Sequence, residues 1–176
     1  MNNKCLKSGV FKVMQCEQNC LPSDLAQLLD NLKVMTIATP WENGVWSAPL
    51  YYLYKNRAFW FFSSPDSRHI TGAKFSSDMA VAASIFMDDS NFSNIKGVQM
   101  RGKIELVANI DKIEVLSAVS SYIKKFSIPF NGSNMVEALS FISQKYRAKF
   151  YRFIPTEVIY MDNTIAIGFK QRVSNI

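Results

Sequence analysis

The residues best suited to chemistry in this chain stand together in one short segment, residues 63–69, directly after the aromatic run 59–62. Three serine hydroxyls and the Arg68 guanidinium offer hydrogen-bond donors that suit a phosphate. An aromatic run that stops at Ser-Ser-Pro predicts a buried strand that passes straight into a helix. The first backbone N–H groups of a helix and the positive end of its dipole attract anions. The segment therefore indicates a phosphate-binding turn.

The same residues also fit an ordinary helix start. Ser64 suits the N-cap, and Pro65 suits the first helical position. Asp66 would then satisfy the helix N-terminus by itself, and its negative charge would weaken a phosphate site. From this segment alone, helix capping and phosphate binding both remain open.

Acid–base and metal chemistry find little support elsewhere in the chain. His69 is the only histidine, which excludes a histidine-rich metal cluster, so no metal site is expected. The neighbouring serines lie too close to His69 along the chain to predict a preorganised catalytic triad. Asp88 and Asp89 stand in a polar loop, where we expect both to be solvated. A binding site remains, and it suits a flavin because the cofactor itself carries the redox chemistry.

The surrounding elements read as a β-rich fold, in keeping with thirteen Phe, seven Tyr and three Trp. Asn43-Gly44 predicts a hairpin, and Gly102 inside a strand predicts a bulge or a close approach. Strands are predicted over 34–39, 45–54, 58–62, 79–86 and 98–107, and a last strand pair is predicted over 149–161 around Pro155. Helices are predicted after residue 21, over 65–76, and as an insertion over about 110–145. This order predicts a largely antiparallel barrel with helices packed at its ends.

Length and composition fit one domain over residues 21–170, preceded by an extension over 1–20 and followed by a tail over 171–176. The three cysteines, Cys5, Cys16 and Cys20, all lie in the extension, where free thiols are expected. The net charge of +6 is mild and the basic residues form no long block, so no nucleic-acid partner is expected. No long apolar run and no signal-peptide core occur, so we expect a cytoplasmic protein without a membrane partner.

Residues 34–107 resemble the pyridoxamine 5′-phosphate oxidase-like FMN-binding split-barrel superfamily. The matching elements are the hairpin over Asn43-Gly44, the strand 47–52, the strand-to-helix turn 62–69 and the strand 97–103. The ending, residues 159–169, resembles a less-studied bacterial branch. The resemblance implies an α+β, six-stranded antiparallel split β-barrel that forms a homodimer, with FMN in clefts between the two barrels.

The resemblance also implies the cofactor-binding residues. The backbone of Pro49, Leu50 and Tyr51 would lie along the flavin ring. The phosphate end would be held by Phe62, Ser63, Ser67, Arg68 and His69. Gln99 would approach from a neighbouring strand. No catalytic residue is assigned.

Several departures from the oxidase pattern bear on function. The oxidase has basic residues where this chain has Ser47 and Tyr52, and a lysine where His69 stands. Its substrate-binding arginine and histidine have no clear counterpart near residues 171–172. The expectation is thus an FMN-dependent oxidoreductase of unknown substrate, and not a true pyridoxamine phosphate oxidase. A non-catalytic dimeric module with weak or no flavin binding stays open, as does a haem-binding split barrel that uses His69.

Overall fold

The computed structural model describes residues 21–107, 112–174 and 176, so the predicted extension over 1–20, with its cysteines, lies outside the described residues. The strands are β1 (Val34–Trp41), β2 (Gly44–Tyr51), β3 (Leu53–Lys55), β4 (Ala58–Ser63), β5 (Ala80–Met87), β6 (Lys96–Leu106), β7 (Lys149–Asp162) and β8 (Lys170–Val173). The helices are α1 (Ser23–Asn31), α2 (Arg68–Ala73), α3 (Lys112–Phe126) and α4 (Met135–Tyr146). Within these described ranges, no helix combines the length and apolar character needed to cross a membrane.

All the strands pair antiparallel in one curled sheet of order β2-β1-β5-β6-β7-β4-β3, with β8 paired to β7. The predicted β-rich split barrel is confirmed, but the described residues form eight strands and not six. The predicted strand 45–54 is interrupted at Tyr52, whose buried hydroxyl donates to the Leu29 carbonyl at 2.9 Å. The segment expected as a tail contributes β8, because Lys170–Val173 finds a free edge on β7.

Strand β7 runs unbroken past Pro155, where the sequence indicated two strands. Pro155 lies opposite Gly102, at the point where the register of the β6–β7 pair shifts. A proline has no N–H to donate to a ladder, and the irregularity accommodates it without ending the strand. The bulge predicted at Gly102 is confirmed, and the backbones approach so closely there that no side chain fits.

The aromatic run in β4 is buried on both faces, which explains its lack of alternation. Phe59 and Phe61 join the main core, together with α1 and the inner face of the sheet. Trp60 points the other way, into a second apolar cluster beneath α3 and α4. The inserted helices therefore cover the outer face of β4, and the strand ends at Ser63 with both faces enclosed.

Asp162 fixes the far end of β7. Its fully buried carboxylate accepts hydrogen bonds from the Tyr160 hydroxyl at 2.6 Å and the Thr164 amide at 2.9 Å. Lys96 pairs with it at 3.0 Å and also reaches Asp24 of α1. Burial alone would raise the pKa of Asp162, but the hydrogen bonds from Thr164, Tyr160 and Lys96 outweigh it and lower the pKa. The carboxylate therefore stays ionised and ties α1 to the sheet.

Candidate functional site

The strand-to-helix turn differs from the predicted helix start. Helix α2 begins at Arg68 and not at Pro65, and its N-cap position is held by Ser67. The residues between form a turn, closed by a hydrogen bond from the Ser67 amide to the Ser64 carbonyl at 3.1 Å. Ser64 therefore does not cap the helix, and the serines are left to bond to one another and to His69.

Ser63, Ser67 and His69 form one hydrogen-bonded cluster. The Nε2 atom of His69 lies 2.7 Å from the Ser63 hydroxyl and 3.1 Å from the Ser67 hydroxyl. The Ser67 hydroxyl also donates to the Ser64 carbonyl at 2.8 Å. The sequence did not predict a preorganised serine–histidine pair, yet the fold makes one. None of the hydrogen bonds described for His69 involves a carboxylate, so the arrangement lacks the third member of a hydrolytic triad.

His69 supplies hydrogen bonds and not charge near neutral pH. The residue is buried, and burial lowers the pKa of its imidazole below the ordinary value of 6.5. A buried imidazole is neutral at pH 7 for this reason. The residue expected to meet a phosphate thus positions two hydroxyls, and any positive charge must come from elsewhere.

This lowered pKa predicts a pH-dependent stability. The unfolded chain protonates His69 near pH 6.5, whereas the folded protein resists protonation until lower pH. The free energy of unfolding should therefore fall as the pH drops through about 6.5. Urea unfolding of wild type and His69→Gln at about pH 8 and about pH 5.5 checks this, because glutamine does not titrate. An equal loss of stability in both proteins would contradict the assignment.

Arg68 lies on the hairpin side of the turn. Its guanidinium carbon is 4.6 Å from the centre of the Trp46 ring and 5.7 Å from that of Trp41. Cation–π contacts of this kind hold an arginine in place without neutralising it. The side chain is exposed, and it is described neither in the serine cluster nor in the lining of the nearby cavity.

A cavity of about 790 Å³ opens between the ends of β2 and β4 and the helices α3 and α4. Three predicted residues line it: Tyr51, Phe62 and Ser63. Its size falls in the range of sites for cofactors and other small molecules. Pro49 and Leu50 lie on β2 outside the lining, with Pro49 exposed and Leu50 packed against the core.

Aromatic rings and two lysines dominate the rest of the lining. Tyr51 packs edge-on against Phe126 at 5.4 Å between ring centres, and Phe62 packs edge-on against Tyr122 at 5.2 Å. Lys33 and Lys125 bring positive charge to the same space. The cavity can therefore hold a flat aromatic molecule that carries a negative group.

Lys125 is the better placed of the two lysines. Its ammonium group donates to the Leu32 carbonyl at 2.9 Å and lies 4.7 Å from the centre of the Tyr52 ring. Burial lowers its pKa, Asp30 opposes that change, and Lys33 adds to it. A cation held this way gains from an anionic ligand, since the ligand replaces part of its lost hydration.

The sequence did not identify Lys33, Tyr122, Lys125 or Phe126 as site residues. Tyr122, Lys125 and Phe126 fall in the stretch that the sequence predicts only as a helical insertion. The available signal was an aromatic pair four residues apart on α3, Tyr122 and Phe126, with Lys125 between them. Which structure that helix face meets depends on the path of the chain through the insertion.

Gln99 lies away from the cavity of its own chain. The strand register aligns Pro49, Thr36, Ser84 and Gln99 in one row across β2, β1, β5 and β6. Three strand spacings separate the ends of this row, about 14 Å. Pro49 and Gln99 thus share a sheet face, as the prediction requires, but they do not meet within one chain.

In the part of the chain that the structure describes, that face of the sheet exposes several large apolar side chains. Tyr51 is 61% exposed, Phe86 is 56% exposed and Val34 is 44% exposed, and all three share the face of Pro49 and Gln99. Apolar side chains exposed together in this way mark a surface that another molecule covers. Tyr51 also lines the cavity, so the cavity and this exposed face adjoin.

No family model and no curated protein matches the chain. Solved structures do. The FAD-binding protein from Mycobacterium smegmatis matches with a TM-score of 0.55 at 14% identity, over 80% of this chain and 96% of that one. A candidate pyridoxamine 5′-phosphate oxidase from Listeria innocua gives 0.55 at 10% identity, over 79% and 96%. The haem storage protein HutZ from Vibrio cholerae gives 0.58 at 12% identity, over 77% and 90%.

These matches cover most of the chain at low sequence identity. The chain accordingly shares the split-barrel fold of these structures. Since structures of this fold carry the names of both flavin and haem proteins, the fold does not select the ligand, and the function must be argued from the side chains of this chain.

Proposed function

We propose that this split-barrel protein is a flavin-binding oxidoreductase that takes FMN in the cavity between β2, β4, α3 and α4. The observation that carries the proposal is the lining: Tyr51, Phe62, Tyr122 and Phe126 surround a space that Lys125 supplies with positive charge. A flavin is a flat aromatic ring system with an anionic side chain, and both of its parts find a matching surface here.

Lys125 also supplies a positive charge near one of the positions where this chain lacks a basic residue of the oxidase pattern. That pattern places cations where this chain has Ser47, Tyr52 and a neutral His69. Lys125 contacts the ring of Tyr52 from outside the strand, so a cation stands beside one of those positions although the strand does not carry it. Named relatives of the same fold that bind FAD support a flavin in general, and FMN is our specific choice.

The residues of this chain would bind and orient the cofactor. When bound, the flavin supplies hydride or electron transfer. Lys125 and Lys33 would hold its anionic groups, and the Ser63–His69 pair would offer a hydroxyl at fixed geometry. Burial raises the pKa of the Tyr122 phenol, so it stays protonated beside the ring system. The surrounding aromatic side chains would exclude water from the reacting atoms.

A second copy of the chain would complete the site. We propose a homodimer through this exposed sheet face, in which Gln99 of one protomer would approach the site of its partner, as the resemblance implies. Phe86→Glu introduces a charge at an exposed apolar position of that face and should convert the dimer to monomers, with little effect on the monomer fold. Light scattering during size-exclusion chromatography reads the mass directly. A wild type that runs as a monomer at all concentrations would contradict this assembly.

Flavin binding has a direct test. The purified protein should be yellow and release FMN on denaturation, or the apoprotein should quench the fluorescence of added FMN in a saturable titration. A colourless protein that leaves FMN fluorescence unchanged would overturn the flavin proposal. The non-catalytic dimeric module would then be the remaining hypothesis.

Arg68 provides a finer test of the phosphate turn. The residue is exposed and held over Trp46, and no described contact pairs it with a carboxylate. Arg68 does not line the cavity, so Arg68→Ala should weaken FMN binding by at least about tenfold, the value of one charged hydrogen bond, only where the phosphate reaches this turn as the resemblance implies, and not where Lys125 holds it. Lys74→Ala, which removes an exposed cation near the end of the same helix, is the matched control. An unchanged affinity for Arg68→Ala would move the phosphate away from this turn.

Haem is the weaker alternative for this site. His69 is the only histidine, and its Nε2 atom is already bonded to the hydroxyls of Ser63 and Ser67 in a buried position. A haem iron would have to displace both contacts. A Soret band that disappears in His69→Ala would reverse this order of preference.

A further inference from the structure

A second cavity, of about 520 Å³, lies on the other side of the inserted helices. It is a groove between α3, α4, the end of β6 and the start of β7. Its floor is buried and apolar, formed by Val115 and Phe150. Its rim is apolar but open to solvent, since Val136 is 58% exposed and Leu106 is 39% exposed. The groove thus offers a continuous apolar surface from its rim to its floor.

The charged residues described in the lining of the groove are both lysines. Lys112 and Lys149 are both exposed and line it from opposite sides, on α3 and β7. Among the described residues that line the groove, none is acidic. Glu114, on the same turn of α3 as Lys112, is engaged with Arg152 at 3.3 Å and belongs to a different surface. An apolar groove with two lysines at its rim complements a molecule with an apolar body and an anionic head.

The groove is separate from the proposed flavin cavity. The two share no lining residue, and the ring of Phe150 stands between them. One side of that ring forms the floor of the groove, and the ring also contacts Phe62 and Tyr122, which line the flavin cavity, at 4.4 and 6.0 Å between ring centres. A ligand in the groove would therefore leave the flavin cavity free.

We propose that this groove is a binding site for a medium-chain fatty carboxylate. Burial of an alkyl chain on the groove supplies the affinity, at about 25 cal/mol per Å² of apolar surface removed from water. The two lysines select the anionic head over a neutral one. The volume of the groove suits one alkyl chain with its carboxylate head, since small-molecule sites have volumes of about 300–1,000 Å³.

Sodium decanoate, below its micelle concentration, is the probe, and isothermal titration of the full chain is the measurement. Saturable binding of one decanoate per chain is expected, at least fivefold tighter than that of decanol. Lys112→Gln/Lys149→Gln should remove this preference while decanol binding stays the same. Val136→Glu, at an exposed position, should weaken decanoate binding at least tenfold without a change in thermal stability.

Two matched variants locate the ligand. Lys124→Gln/Lys170→Gln removes two exposed lysines outside the groove and should leave decanoate binding unchanged. Lys125→Met alters the flavin cavity and should also leave it unchanged. Absence of saturable binding would overturn the proposal. An equal loss of decanoate binding in Lys124→Gln/Lys170→Gln would show that the binding depends only on the overall positive charge of the protein. A loss of decanoate binding confined to Lys125→Met would place the ligand in the aromatic cavity. Either result would also overturn the groove proposal.

Discussion

Replacement of Lys125 by methionine is expected to weaken FMN binding by about tenfold to a hundredfold. A charged hydrogen bond contributes roughly 1.5–3 kcal/mol, and about 1.4 kcal/mol corresponds to a factor of ten in affinity. The ammonium group lies inside the aromatic lining and is held there by the Leu32 carbonyl at 2.9 Å. It is therefore already ordered, and little conformational entropy is lost when an anion binds.

Methionine is the informative replacement because it keeps an unbranched apolar stem over Tyr52 and removes only the charge. The matched control is Lys124→Met, at the adjacent position on α3, whose side chain is exposed and does not line the cavity. Fluorescence titration of both apoproteins with FMN measures the difference. Equal affinities in the two variants would show that the anionic part of the flavin does not meet Lys125.

The second large effect concerns stability. Gly102→Ala is expected to lower the free energy of unfolding by about 3 kcal/mol, at the upper end of the cost of overpacking. A Cβ atom at this position would lie 2.2 Å from the Ile154 carbonyl oxygen and 2.7 Å from the Phe153 ring. The Ile154 atom belongs to the backbone of β7, which pairs with β6 at this position and cannot move away without disturbing that ladder.

Gly44→Ala provides the matched control, because a Cβ atom there meets nothing within 4 Å. Its effect should stay within about 0.5 kcal/mol. For a chain of this length, 3 kcal/mol corresponds to a fall in Tm of about 6–12 °C. Thermal unfolding followed by circular dichroism distinguishes the two variants. A Gly102→Ala protein with the same Tm as Gly44→Ala would mean that β6 and β7 are less closely apposed than described.

The fold itself was readable from local patterns. Asn43-Gly44 marked the hairpin, although Gly44 already belongs to β2 and the positive φ of the loop falls on Glu42. The aromatic run of β4 marked a buried strand, and Gly102 marked the bulge. Each of these features depends on the conformational preference of one or two residues, which the sequence states directly.

The strand count was less readable, because it depends on partners. Tyr52 separates β2 from β3, and its side chain turns into the core, where its hydroxyl donates to the Leu29 carbonyl of α1. Lys170–Val173 becomes a strand only because β7 presents an unpaired edge. The alternation of apolar and polar residues does not tell where a neighbouring element will lie, and so it predicts strands better than their ends.

The features of the candidate site also divide into those set by neighbouring residues and those set by residues distant in sequence. The serine-rich turn and its place after a buried strand follow from local sequence, because hydroxyl, guanidinium and backbone donors are adjacent along the chain there. Folding is needed to make His69 neutral and bonded to Ser63, to hold Arg68 over Trp46, and to bring the positive charge of Lys125 to an aromatic cavity. Burial and charge neighbours set a pKa and an anion site, and both come from residues that are distant in sequence and meet only when the chain folds.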